Sequence, residues 1–121
     1  MPRSAYSSDI VIDLEFTPTN GRNRHWRNTR PTAGSMADRA LADKLENEIV
    51  EIGAVRVDGR GRAIDEFSRV VKPTIARGVS GFVNQLTGIR DEDLTDARPL
   101  SAVLDEFRQW AGPGARMVAW S

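Results

Sequence analysis

Asp13 and Glu15 stand two residues apart in the run Ile10-Val11-Ile12-Asp13-Leu14-Glu15-Phe16-Thr17. In an extended strand, side chains alternate between faces, so the two carboxylates share one side and Leu14 takes the other. Their backbone positions, ~6–7 Å apart along a strand, let both converge on one hard cation or bridge a pair. A paired-metal site needs its ions ~3.5–4 Å apart, with carboxylates as the usual bridges. Ionised carboxylates on an otherwise apolar strand are costly to bury without a cation or partner. That cost is the physical argument for a metal. Taken alone, an Asp-x-Glu pair most often lies on a solvated strand face or strand end. Its surroundings decide which reading holds.

The elements that must position this pair can be read along the chain. Residues 9–16 form a strand whose consecutive Ile10, Val11 and Ile12 suit a central position covered on both faces. Residues 17–35 are loop-like, punctuated by Pro18, Asn20, Gly21, Pro31 and Gly34. Residues 36–46 read as a helix, with Ser35 and Asp38 as a weak capping box. Residues 48–57 and 63–71 are two further strands. Asp58-Gly59-Arg60-Gly61 between them signals a hairpin. Residues 80–87 suggest a short helix with Ser80 as N-cap and Gly88 as its stop. Asp91–Thr95 forms another turn. The clearest helix is 99–111, where Leu100, Val103, Leu104, Phe107 and Trp110 make one apolar stripe that Gly112-Pro113 ends. Residues 115–121 begin a further strand.

Length and composition bound the function. The chain has 121 residues, 40% of them hydrophobic, which suits one small globular domain. Seventeen basic and seventeen acidic side chains cancel, which excludes nucleic-acid binding by bulk charge but not by a local basic patch. Without cysteine there is neither a disulfide framework nor a thiolate metal site. No apolar h-region follows Met1-Pro2-Arg3-Ser4, and no run approaches the ~20 apolar residues of a membrane span. A soluble, cytoplasmic protein with no membrane partner is the expectation.

The segment Ile10 to Thr17 resembles the first exonuclease motif of the DEDDh family, which includes RNase T, proofreading exonuclease subunits and the RNA-trimming 3′ exonucleases. Glu48-Ile49-Val50-Glu51-Ile52-Gly53-Ala54-Val55 is similar to the family's second strand, and Phe67 to Val71-Lys72-Pro73 to its third. Val79-Ser80 through Gln85-Leu86-Thr87-Gly88-Ile89 resembles the loop and helix that border the substrate. Ala97-Arg98-Pro99-Leu100 with Val103, Leu104, Phe107 and Trp110 resembles the helix that follows. Each match is weak alone. Five in the right order are specific, with the RNA-trimming 3′ exonucleases the nearest group.

The resemblance implies an α/β, RNase-H-like mixed sheet, its first three strands antiparallel and flanked by helices. It implies Mg²⁺ or Mn²⁺, two ions in the complete family site, held by four carboxylates, with Asp13 and Glu15 as catalytic metal ligands. A histidine acts as general base. The substrate is the single-stranded 3′ end of RNA or DNA, cleaved at its terminal phosphodiester bond. Phe16, Thr17, Gln85, Leu86 and Thr87 are expected to line the terminal nucleotide.

Two departures matter. Trp120-Ser121 matches the fourth strand, but the aspartate of the second motif and the His-x-x-x-x-Asp of the third do not follow within these residues. Residues 1–121 therefore read as a partial exonuclease domain truncated at the fourth strand, inactive by itself and of marginal stability. A non-catalytic nucleic-acid-binding remnant of the same fold is the alternative. Second, residues 17–46 enlarge the connection after the motif. There Arg22, Arg24, Arg27 and Arg30 flank Trp26. Guanidinium groups pair with phosphates and Trp stacks on bases, so Arg22, Arg24, Trp26 and Arg27 are candidate nucleic-acid contacts. A solvated loop is the rival reading. His25, the sole histidine, reads as solvated rather than as a replacement base. Glu51 is a further acidic candidate, weighed against a structural carboxylate. Asp91, Glu92, Asp93 and Asp96 read as a solvated helix start.

Overall fold

The computed structural model describes residues 8–19, 47–76 and 78–119. The expected helix at 36–46, His25, and the candidates Arg22, Arg24, Trp26 and Arg27 lie outside the described residues.

Three long strands come first: β1 (Ser8–Pro18), β2 (Asn47–Val57) and β3 (Ala63–Lys72). Two short helices follow, α1 (Gly81–Thr87) and α2 (Asp91–Thr95). Then come a two-residue strand β4 (Arg98–Pro99), the long helix α3 (Leu100–Ala111) and β5 (Ala115–Ala119). The sheet order is β4-β3-β2-β1-β5. β1 pairs antiparallel with β2, and β2 with β3. β5 runs parallel to β1, and β4 parallel to β3. This is the expected mixed sheet with three leading antiparallel strands flanked by helices, and β4 is an addition to it.

Local chemistry explains the boundaries. The β2–β3 hairpin closes on Asp58, whose Oδ1 accepts from Arg60 N at 2.8 Å and Arg62 N at 3.0 Å. Gly61 supplies the left-handed residue, at φ 78°. Ser80 caps α1 by accepting from Val83 N at 3.2 Å, and Gly88 ends it at φ 77°. α3 starts one residue later than the sequence suggests, because Pro99 takes the N-cap position. Glu48, at the start of β2, accepts from Thr74 N and Ile75 N, both at 2.7 Å, and so anchors the chain leaving β3.

The two faces of the sheet differ. On one, Ile10, Ile52, Ala54, Phe67 and Val71 pack under Val103 and Ala111 of α3, with Ile12 and Leu14 alongside. Phe67 sits edge-on to Phe107 at 5.5 Å and tilted against Trp110 at 5.5 Å. Arg56 closes this face. Its guanidinium lies 4.7 Å over the Trp110 ring and donates to the Trp110 and Ala111 carbonyls, capping the C-terminus of α3. It also donates to Ser8 Oγ at 3.1 Å, which ties in β1. On the other face a smaller cluster of Val50, Val83, Ile89 and Leu94 seats α1 and α2 at one end. The Ile10-Val11-Ile12 run was expected to be covered on both sides. Val11 instead is exposed, because the described helices on its face sit near Val50 and leave the rest of that face open.

Candidate active site

Period-two alternation places Asp13, Glu15 and Thr17 on the open face of β1. Burial deepens along that row: Asp13 is exposed, Glu15 half-buried and Thr17 fully buried. β1 is an interior strand: β5 pairs it from Ser8 to Ile12, and at Asp13 and Glu15 the ladder to β2 holds its backbone. The β2 register sets what faces them. Asp13 lies opposite Gly53, and Glu15 opposite Glu51. Gly53 puts no side chain beside Asp13.

Glu51 puts a third carboxylate into the site. Its carboxyl is held above the usual carboxylate range, first by burial, then by the charge of Glu15, then by that of Asp13. Like charges directly opposite one another across a strand pair oppose folding. These carboxylates therefore present a negative field that a cation would relieve. Among the described residues, no group of three or more histidine, cysteine or acidic side chains is arranged to hold a metal ion.

A bulge shapes the lower end of the row. Glu15 pairs with Glu51 but Phe16 pairs with Ile49, so Val50 is an extra residue in β2. Val50 is fully buried with Val83, Ile89 and Leu94. This draws α1 in close to the end of β1.

The expected substrate-lining residues fall into distinct places. Phe16, 45% exposed, alternates to the face opposite Glu15. Thr17 donates to Gly78 O at 3.4 Å and accepts from Ser80 N at 3.2 Å, so its hydroxyl is engaged within the protein. Thr87 is likewise occupied, donating to Val83 O at 2.8 Å and accepting from Ile89 N at 3.1 Å. Gln85 and Leu86 are exposed on α1, Leu86 at 69%. Phe82, 67% exposed, joins them one turn earlier. Sequence reasoning passed over Phe82, although its i,i+4 spacing to Leu86 with Val83 inward marks a bare apolar face. The acidic run after α1 is not merely solvated. Asp91 Oδ1 accepts from Val79 N at 2.8 Å, and Asp93 accepts from Arg90 N at 2.8 Å. That backbone bond, with the Arg90 guanidinium, holds the Asp93 carboxyl below its ordinary range.

The mixed sheet, with three leading antiparallel strands and flanking helices, has the RNase-H-like exonuclease fold. Residues 10–120 match the RNase T exonuclease family, and the chain belongs to that family of hydrolases. It is 39% identical over 104 residues to a PolC-type DNA polymerase III of Staphylococcus epidermidis, covering 86% of this chain and 7% of that protein. With the PolC-type DNA polymerase III of Thermotoga maritima it shares 40% identity over 65 residues, 54% of this chain and 4% of the relative. Among solved structures, it resembles the nuclease domain of 3′hExo, a DEDDh family member bound to rAMP. The TM-score is 0.68 at 20% identity, over 96% of this chain and 52% of that one. A 3′-exonuclease studied for 3′-end-specific recognition of a histone mRNA stem-loop gives a TM-score of 0.63 at 21% identity, over 96% of this chain and 47% of that one. At these identities the structural likenesses establish the fold. The chain thus spans about half the length of these structures and a small part of the polymerases. No described helix is long and apolar enough to cross a membrane.

Proposed function

We propose that Asp13 and Glu15 are catalytic metal ligands of a divalent-metal-dependent 3′→5′ exonuclease. The enzyme would hydrolyse the terminal phosphodiester bond of single-stranded RNA or DNA. The observation that carries this reading is the row on β1: two carboxylates on one open face of an interior strand, with Glu51 held above its ordinary range beside them.

The donor set fits the cation. Carboxylate oxygens are the hard ligands that Mg²⁺ and Mn²⁺ take, and the local negative field favours a cation over an isolated charge. Asp13 and Glu15 would hold it, with other ligands drawn from outside the described residues. A pair of such ions supplies Lewis acidity for in-line hydrolysis. The chain's own residues place the substrate. The open face at Asp13 and Gly53 leaves room for a phosphodiester, and the exposed Phe82, Gln85 and Leu86 on α1 offer an apolar edge with one amide for a terminal nucleotide. Residues 1–121 thus carry the first-motif part of the domain, with the Arg-rich stretch at 17–46 as a candidate strand contact.

The test is stepwise shortening of a 5′-labelled single-stranded oligonucleotide in Mg²⁺ or Mn²⁺ by the intact protein, meaning residues 1–121 together with the second and third motifs of the family pattern, with release of nucleoside 5′-monophosphates. Residues 1–121 alone are expected to degrade nothing. Degradation that is lost with chelator and with Asp13→Asn is expected. Binding of the oligonucleotide without any cleavage would favour the non-catalytic reading instead.

A further inference from the structure

We propose that Thr17 is a positioning residue. It locks the entry to α1 onto the end of β1, and so sets where the exposed row of Phe82, Gln85 and Leu86 stands relative to Asp13 and Glu15. This rests on the exonuclease reading of that site and deepens it.

Thr17 and Ser80 are the buried polar side chains among the described residues, 0% and 1% exposed. They are joined in one chain of hydrogen bonds. Thr17 Oγ1 donates to Gly78 O at 3.4 Å and accepts from Ser80 N at 3.2 Å. Ser80 Oγ in turn accepts from Val83 N at 3.2 Å, and Ser80 O accepts from Asn84 N at 2.9 Å. The third residue of the β1 row is therefore wired through one loop residue into the first turn of α1.

The same loop is held from its other side. Asp91 Oδ1 accepts from Val79 N at 2.8 Å. A Cβ on Gly78 would lie 2.4 Å from that oxygen. A side chain at position 78 would have to push the Asp91 carboxylate aside. Gly78, Val79 and Ser80 are thus gripped by β1 and by the start of α2. Loops that border a site are ordinarily the mobile part of a fold. Two grips on three residues make this one part of the scaffold.

The residue type at position 17 follows from these contacts. A buried hydroxyl without partners costs free energy, and this one has a donor and an acceptor waiting. A β-branched side chain also suits the strand. Valine keeps that shape and loses both hydrogen bonds. Serine keeps the hydroxyl and loses one methyl group.

The experiment is steady-state degradation of a 5′-labelled single-stranded oligonucleotide with a free 3′-OH by the intact protein in Mg²⁺. Thr17→Val is expected to raise KM about three- to tenfold with kcat within about twofold, the size of one or two lost hydrogen bonds. Thr17→Ser is expected to return KM to within about twofold of wild type. Asp91→Ala, at an exposed position, releases the loop from its other side and is expected to raise KM in the same way. Three results overturn the inference in an active enzyme: an unchanged KM in Asp91→Ala, a Thr17→Ser variant as impaired as Thr17→Val, or a loss confined to kcat. A wild-type protein that degrades nothing overturns the exonuclease reading itself, and this inference with it.

Discussion

The two faces of the central strands carry opposite kinds of residue, and β1 shows this most plainly. Ile10, Ile12 and Leu14 point toward α3 and pack among Phe67, Phe107 and Trp110. Asp13 and Glu15, interleaved with them, point away and face Gly53 and Glu51. From Ile10 to Glu15 the strand thus supplies core on its even residues and carries its two carboxylates on the odd positions 13 and 15. The covered face tolerates the open one: apolar burial and the Arg56 clamp stabilise a sheet whose other side gathers like charges. Removing a carboxylate and removing a core ring should therefore have opposite profiles.

The largest separation is expected from Asp13→Asn. Degradation of a labelled oligonucleotide by the intact protein should fall by more than about 100-fold, as expected for loss of a metal ligand. Thermal stability at neutral pH should not fall, because one of the mutually repelling charges is gone. Phe67→Ala reverses the pattern. The ring is 5% exposed and contacts both Phe107 and Trp110, so a loss of about 3–5 kcal/mol is expected in denaturant melts. Equal effects of both variants on stability would mean that the faces are not divided as described.

Arg56 tests how the covered face is fastened. Its guanidinium joins β2 to Ser8 of β1 and to the last carbonyls of α3 while stacking on Trp110. Arg56→Met keeps the aliphatic stem and leaves those carbonyls uncapped. A loss of about 1–3 kcal/mol is expected. Arg56→Lys should recover part of it, since an ammonium can reach a carbonyl but cannot bridge three acceptors in a plane. A full recovery by Lys would show that charge near the helix terminus matters and the fork does not.

What the sequence disclosed, and what it withheld, follows the same division. Local signals were legible. Ser80 and Gly88 mark α1 by capping chemistry, Asp58 to Gly61 marks the hairpin, and the stripe from Leu100 to Trp110 marks α3. Asp13-Leu14-Glu15 marks the open face because alternation is a property of the strand itself. Features that depend on the partner strand were not legible. The extra residue at Val50 depends on how β2 meets β1, and β4 exists only because Arg98 and Pro99 reach the end of β3. Asp91 reads as one acid among four until the fold brings Val79 to it. Thr17 was expected to face substrate for the same reason. Nothing in its neighbours shows that a loop more than sixty residues away would meet its hydroxyl.

The smallest expected effect concerns Glu51 and depends on pH. Its carboxyl titrates above the ordinary range in the folded protein, chiefly through burial and then through Glu15 and Asp13. A carboxyl with a raised folded-state pKa binds its proton more tightly folded than unfolded. Its contribution to stability is therefore fully present below the unfolded value and lost as pH rises through the folded one. Above that window the ionised Glu51 opposes folding. Glu51→Gln should accordingly raise the melting temperature at neutral pH, and the gain should disappear in acid, where Glu51 is already protonated. Mg²⁺ adds a second arm. A cation held by Asp13 and Glu15 cancels the two charges that press on Glu51, so the advantage of Gln over Glu at neutral pH should shrink as Mg²⁺ is added. If Gln destabilises at neutral pH instead, Glu51 is a structural carboxylate with a partner of its own, and the open face is less crowded by charge than its register implies.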